Sequence, residues 1–297
     1  MELRQLRYFL AVAEHLHFSL AAEKIGIAQP PLSQQILKLE REVGTALFIR
    51  HARRVELTDA GKILQENART IIAETERALV QVKLAARGET GKLSIGFAGS
   101  TVFHSLVAKM MREFRQRYAG VEIKPEESSS TALVQKVMEG QLDCAFVRLP
   151  LNCHDLQTAV LVEEDMLAVL PADHPLGETA EVNLSQLALE PLVLFPRPIG
   201  PSIYDRILNA CAESGFSPHI ALESPQLSSA INMVAAGFGI TLIPRSICQI
   251  QSQGVTYHRV VNQMLNTTIA LVYRPREKSL AVLNFVKALH QTLNVEK

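Results

Sequence analysis

The chain has 297 residues, of which 47% are hydrophobic and 20% charged, with 30 Lys+Arg against 30 Asp+Glu. These proportions fit about two globular domains and exclude a disordered chain, a collagen-like repeat and a long coiled coil. Zero net charge confines any nucleic-acid surface to a local patch, and 5% aromatics with no Trp exclude a base-stacking single-strand binder.

Residues 1–48 read as three short helices. Leu3, Leu6, Phe9, Leu10 and Ala13 recur at helical spacing. Ser19 is placed to cap a second helix over Leu20, Ala21, Ala22 and Ile25, which Gly26 breaks. A third runs from about Pro30 to Val43, with Leu32, Ile36 and Leu39 on one face, and stops at Gly44. Phe48–Leu57 reads as a basic hairpin. Thr58 then caps a helix that runs to about Arg87, with Leu64, Ala68, Ile71, Ala78, Val82 and Ala85 on a seam suited to a two-helix coiled coil. Gly88-Glu89-Thr90-Gly91 reads as a hinge. Residues 1–92 hold 14 basic and 11 acidic residues, so what positive excess there is lies at the N-terminal end.

From Leu93 onward, short apolar runs alternate with helical stretches. Leu93–Ala98, Val121–Lys124 and Leu142–Val147 read as strands, with helices at Val102–Arg117 and Thr131–Met138 between them. A second set follows: Met166–Leu170, Leu192–Phe195, helix Pro201–Ser214, His219–Leu222, helix Gln226–Ala236 and Gly239–Ile243. Strand Thr268–Tyr273 and helix Leu280–Leu293 close the chain. The pattern predicts a parallel sheet with helices on both faces.

Two short helices and a tight turn, with the second helix opening on polar residues, describe a helix-turn-helix. Its recognition helix would present Gln29, Pro30, Pro31, Ser33, Gln34 and Gln35 to base edges of a DNA duplex, and Ser19 of the preceding helix is a further DNA-binding candidate. Arg50, Arg53 and Arg54 on the hairpin would hold flanking phosphates or enter the minor groove.

The residues that carry a family resemblance lie in this stretch: Phe9-Leu10-Ala11-Val12-Ala13-Glu14, Phe18-Ser19-Leu20-Ala21-Ala22, Gln29-Pro30-Pro31-Leu32-Ser33-Gln34-Gln35-Ile36, Leu39-Glu40, Gly44, Leu47-Phe48 and Leu57-Thr58-Asp59-Ala60-Gly61. With them the chain resembles the LysR-type transcriptional regulators over its whole length, and most of all the branch that senses small carboxylates such as benzoate and muconate. The resemblance implies an N-terminal all-α winged helix-turn-helix (1–58) and a long dimerising linker helix (59–88). A two-lobed α/β inducer-binding domain resembling periplasmic binding proteins follows (89–297, with lobe I at about 92–162 and 268–297 and lobe II at about 163–267). It also implies a homodimer paired into a homotetramer, a double-stranded DNA operator, RNA polymerase and a small-molecule inducer as partners, and no cofactor. Two positions depart from the family pattern: Gln34 stands where many members carry Arg, and Ala28 where Ser is common.

Ligands of such sheets sit at the carboxyl ends of strands, against helix N-termini. Those ends bring up Ser100 and Thr101, then Ser129 and Ser130, then Arg148, and in the second lobe Pro201, Ser202 and Ile203. Hydroxyls, free N–H groups and an arginine suit a carboxylate. The resemblance adds that Ser100, Ser130, Pro201 and Ser202 fall at inducer-contact positions of the branch. Its aromatic contact falls on Ile203, which implies a smaller or more aliphatic inducer.

Other chemistries find little support. There is no G-x-S-x-G elbow, H-E-x-x-H pair or P-loop, so an enzyme is not expected. The four cysteines show no C-x-x-C spacing. A redox-responsive regulator using Cys144 is one alternative, and a solute-binding protein another. No apolar run nears about 18 residues, and the first residues lack a signal peptide's basic, apolar and small-residue regions. The expected location is the cytoplasm, without membrane attachment.

Overall fold

The computed structural model describes residues 1–51, 54–249, 253–261 and 265–295. The chain divides into two compact units, Met1–Leu84 and Ala85–Lys297.

In the first unit, helices α1 (Leu3–His15), α2 (Phe18–Lys24) and α3 (Gln29–Val43) pack around a fully buried set of Leu6, Phe9, Val12, Leu32, Ile36, Leu39 and Leu47. Each such side chain contributes roughly 1.5–3 kcal/mol on leaving water. The cap of α2 is His17, not Ser19: the His17 ring accepts the Leu20 N–H, and Ser19 sits exposed inside the first turn. Ala28 gives α3 no side-chain cap. Pro30 and Pro31 explain why none is needed, because they remove two of the donors a helix start leaves unpaired. Strands β1 (Phe48–Arg50) and β2 (Val55–Leu57) form the antiparallel wing. Thr58 accepts the Gly61 N–H at 2.9 Å and opens α4 (Asp59–Ala85). The expected seam of α4 is split. Ala68 is buried in the helix-turn-helix core with Leu64 and Ile72 beside it, whereas Leu79, Val80 and Val82 further along are exposed.

The second unit is built on an eight-stranded sheet. Its strands are β3 (Thr90–Ala98), β4 (Gly120–Ser128), β5 (Cys144–Leu149), β6 (Gln157–Pro171), β7 (Glu181–Asn183), β10 (Thr241–Pro244), β11 (Val255–Val261) and β12 (Asn266–Tyr273). The order is β4-β3-β5-β12-β6-β11-β7, with β10 also on β6. The expectation of a parallel sheet holds only in part. β3 runs parallel to β4 and β5, but β12 is antiparallel to β5 and β6, as are β10 and β11 to β6. The 15-residue β6 joins the lobes: Gln157–Asp165 pairs with β12, and Met166–Pro171 with β10 and β11. Helices α5 (Ser105–Arg117), α6 (Ser130–Met138) and α9 (Leu280–Val295) cover lobe I. Lobe II adds the parallel pair β8 (Leu192–Leu194) and β9 (Ile220–Glu223) with α7 (Pro201–Glu213) and α8 (Leu227–Ala235).

The segment Gly88–Gly91 is not a free hinge. Thr90 and Gly91 already belong to β3, and Asn284 of α9 donates to the carbonyls of Arg87 and Gly88. A Cβ at Gly88 would stand 2.6 Å from the backbone of Leu280.

Candidate DNA interface and ligand cleft

The exposed start of α3 carries Gln29, Pro30, Pro31 and Gln34, with Ser33 and Gln35 half-buried beside them. The wing is stitched to this helix by one carboxylate. Glu40 accepts the backbone N–H of Leu47 (2.9 Å) and Phe48 (3.2 Å) and pairs with the Arg50 guanidinium at 3.3 Å. Arg50 also lies 4.8 Å over the Phe18 ring and 3.4 Å from Ser33 Oγ. It is therefore tethered to α2 and α3 rather than extended from the wing. Arg54 pairs with Glu56 at 2.9 Å and stays largely exposed. Arg53 lies outside the described residues.

In the second unit, a cavity of about 490 Å³ opens between the lobes. Lobe I contributes Gly99 and Ser100 after β3, Val102 and Phe103, Glu127 and Ser128 at the end of β4, Ser129 and Ser130 at α6, and Arg148 of β5. Lobe II contributes Phe195, Ile199, Gly200, Ser202 and Ile203 at α7, and Gln226, Leu227 and Ser228 at α8. Three helices thus turn their N-termini to one space, capped at Ser129, Gly200 and Gln226. Each adds partial positive charge and unpaired N–H groups.

Of the expected ligand residues, Ser100, Ser129, Ser130, Arg148, Ser202 and Ile203 meet in this wall; Thr101 and Pro201 do not line it. Thr101 is buried, with its hydroxyl donating to the Ala98 carbonyl. Pro201 starts α7 beside Ser202.

Arg148 differs from the expectation of a free ligand cation. Its side chain is 2% exposed, and its Nη1 lies 2.7 Å from Glu164 Oε1. Its Nε donates to Ser100 Oγ at 2.6 Å, and its backbone N–H donates to Ser130 Oγ at 3.2 Å. Burial lowers the guanidinium pKa, an effect that Glu164 opposes. The consequence falls on the serines: each accepts a hydrogen bond from Arg148, so each retains its own O–H as a donor. Ser129 likewise accepts the Ala132 N–H and keeps its proton. Glu164 is held in turn by the Ser246 N–H (2.8 Å) and hydroxyl (3.1 Å).

Sequence reasoning missed Glu127, Gln226 and Glu164. The first two stand where strand β4 ends and α8 begins, so the rule that located Ser100 and Ser130 could have found them. Glu164 had no such signal.

Other chemistry is poorly supplied. Cys144 is fully buried, and burial pushes its thiol well above the usual range. No group of three metal-binding side chains occurs among the described residues, and no described helix is long and apolar enough to cross a membrane.

Residues 3–62 match the bacterial regulatory helix-turn-helix protein of the lysR family, and residues 86–294 match the LysR substrate binding domain. The chain belongs to the LysR family of transcriptional regulators. It is 41% identical to the HTH-type transcriptional regulator BudR of Raoultella terrigena over 97% of this chain and 99% of that one. It is 31% identical to the regulator BenM of Acinetobacter baylyi over 98% and 96%, which agrees with the resemblance to the benzoate and muconate branch. The full-length crystal structure of the LysR-family regulator CbnR in complex with target DNA superposes with a TM-score of 0.86 at 25% identity, covering 99% of this chain and all of that one. The LysR member described here is thus a DNA-binding regulator with an N-terminal helix-turn-helix and a C-terminal substrate-binding domain, not an enzyme. Its N-terminal match also sets aside a free-standing solute-binding protein.

Proposed function

We propose that the protein is a cytoplasmic regulator switched by a small carboxylate held in the interlobe cleft. The observation that carries this reading is the donor set. Ser100 and Ser130 accept from Arg148 and so keep their O–H groups as hydrogen-bond donors, and they share one space with three helix N-termini. A carboxylate offers about four lone-pair sites and a negative charge, and helix N-termini favour both. Arg148 works through the two serines, because Glu164 takes up its charge. Ile203 and Leu227 give the rest of the ligand an aliphatic wall.

On the DNA side, Gln29, Pro30, Pro31, Ser33, Gln34 and Gln35 would face base edges. Ser19, Arg53 and Arg54 would hold the backbone of a double-stranded operator. Arg50 would do so only by fixing the wing against α3. The chain would act as a homodimer through the exposed part of α4, paired into a homotetramer that contacts RNA polymerase. Ligand shifts the protein only as far as its affinities for two lobe arrangements differ.

The test is a thermal-shift panel of metabolic carboxylates and neutral isosteres on the full chain, followed by operator binding with the hits. A ligand at a hundred times its Kd adds about 2.7 kcal/mol of stability. The expected hit is an acid whose shift disappears in Ser100→Ala and Ser130→Ala. Shifts from neutral compounds alone would remove the carboxylate from this reading.

A further inference from the structure

The cleft also carries an acidic group, on the same lobe as the serines. Glu127 is the penultimate residue of β4, the edge strand of the sheet, and its exposed side chain lines the cavity. Its carboxylate makes no ion pair or hydrogen bond with any described residue. Neighbouring Glu126, by contrast, is paired with Lys136. Glu127 Oε1 overhangs Gly99: a Cβ built there would stand 2.7 Å from it. The Oε1 of Gln226, from the other lobe, lies 3.8 Å from the same point. Two acceptor oxygens, one from each lobe, therefore meet above the glycine that precedes Ser100.

Charge sharpens this asymmetry. Arg148 and Glu164 cancel one another at 2.7 Å, which leaves Glu127 as the uncompensated charge among the described lining residues. A ligand with a second carboxylate would meet like charge there, and a purely alkyl ligand would leave Glu127 bonded to solvent alone. A hydroxyl or ammonium would satisfy it.

We infer that the inducer is a short monocarboxylate carrying a hydrogen-bond donor, hydroxyl or ammonium, that Glu127 accepts, and that Glu127 is the residue selecting it over alkyl acids and dicarboxylates. This inference rests on the carboxylate reading of the same cleft. Ser100 follows β3 and Glu127 stands one residue before the end of β4, and neighbouring strands lie about 4.8 Å apart. The donor therefore belongs two to four bonds from the carboxylate. Glu127 is exposed and keeps its water when no donor is present, so it discriminates by the charge-assisted bond a donor gains and by repulsion of a second carboxylate.

Isothermal titration of the full chain with matched probes tests it: butyrate, 3-hydroxybutyrate, 3-aminobutyrate and succinate, each against wild type and Glu127→Gln. In the wild type, the hydroxy or the amino acid binds at least tenfold more tightly than butyrate, and succinate binds most weakly. Whichever of the two binds more tightly names the donor. In Glu127→Gln, the preference over butyrate falls by about tenfold and succinate gains. Glu127 is exposed, so the variant is expected to fold, and an unchanged melting temperature without ligand checks this. Equal binding of butyrate and its substituted forms in both proteins overturns the inference and leaves the carboxylate reading standing. Binding by none of the acids overturns the inference of a short acid, and the carboxylate reading then stands or falls on the thermal-shift panel.

Discussion

Arg148 shows how a residue that stands out in a sequence acquires its role from one that does not. A lone arginine at the end of an apolar strand reads as a cation for an acidic ligand. Its neutralising partner, Glu164, lies within the charged run Glu163-Glu164-Asp165, which looks like a turn. Only the insertion of β12 between β5 and β6 brings the two together, and linear spacing does not encode a cross-sheet pair. Glu164→Gln keeps the shape and removes the charge. Breaking a buried ion pair from one side costs about 3–5 kcal/mol, and urea denaturation should record a loss of that order. Replacing both partners with apolar residues of similar volume is often neutral, so Arg148→Met with Glu164→Leu should recover most of it. Recovery absent from the double variant would mean that the bonds from Ser246 to Glu164 or from Arg148 to Ser100 outweigh the pair.

The cysteines allow a second residue-level check, on Cys248, a half-buried thiol distinct from the Cys144 of the redox alternative. Burial raises the Cys248 thiol to about 11, and a thiol reacts as its thiolate. At pH 8 only about one molecule in a thousand carries the reactive form. Alkylation of Cys248 by iodoacetamide, followed by peptide mass spectrometry, should therefore accelerate about tenfold per pH unit up to pH 10. A plateau near pH 9 would mark an ordinary thiol and reopen oxidation as a signal.

Elements were legible where apolar periodicity and helix-breaking residues agreed, even where the expected cap was wrong, as at Ser19. The three N-terminal helices, the wing and the Thr58 start of α4 follow from apolar spacing and punctuation. Three strand segments did not. The first half of β6 was hidden by its charges, which are absorbed by Arg148, Asn266 and the Ser246 backbone. The three-residue β7 is too short to show a period. β11 carried a usable signal, in Val255, Thr256, Val260 and Val261 after Gly254, that the helix–strand alternation elsewhere obscured. The resemblance marked Gly61 without giving a reason for it; the fold supplies one. A Cβ there would stand 2.2 Å from the Leu47 carbonyl oxygen and 2.9 Å from Leu57 Cδ2. The backbone oxygen cannot swing aside as a long side chain would, so Gly61→Ala should displace the start of α4 from the wing. Several kcal/mol of stability should be lost, at the upper end for single substitutions. Glu40→Ala frees two backbone donors instead, at about 1–3 kcal/mol each. It should loosen the wing and weaken operator and random DNA alike in fluorescence anisotropy. Loss confined to the operator would point to a base contact by Glu40 rather than a scaffold role.

At the scale of the whole molecule, the question is what covers the exposed end of α4. Leu79, Val80 and Val82 are 57%, 55% and 67% exposed, an unusual density of bare aliphatic surface for one helical turn. In the first half of the same helix Leu64, Ala68 and Ile72 pack on the helix-turn-helix core, so the sequence seam served two masters that spacing alone does not separate. Pairing two copies through the second half would hide the bare turn and hold two recognition helices on one duplex. The gain is then one of valency: joining two modules raises affinity by 10²–10⁴ without any new base contact. Leu79→Glu with Val82→Glu places charge on that surface while leaving Ala68 and the core untouched. Sedimentation velocity should show the double variant shifted to a smaller species with an unchanged circular-dichroism spectrum. Its operator affinity should fall by at least a hundredfold, while the salt dependence per helix-turn-helix stays the same, because that slope counts phosphates rather than copies. An unaltered sedimentation coefficient would remove α4 from the assembly and transfer the pairing to surfaces of the second unit.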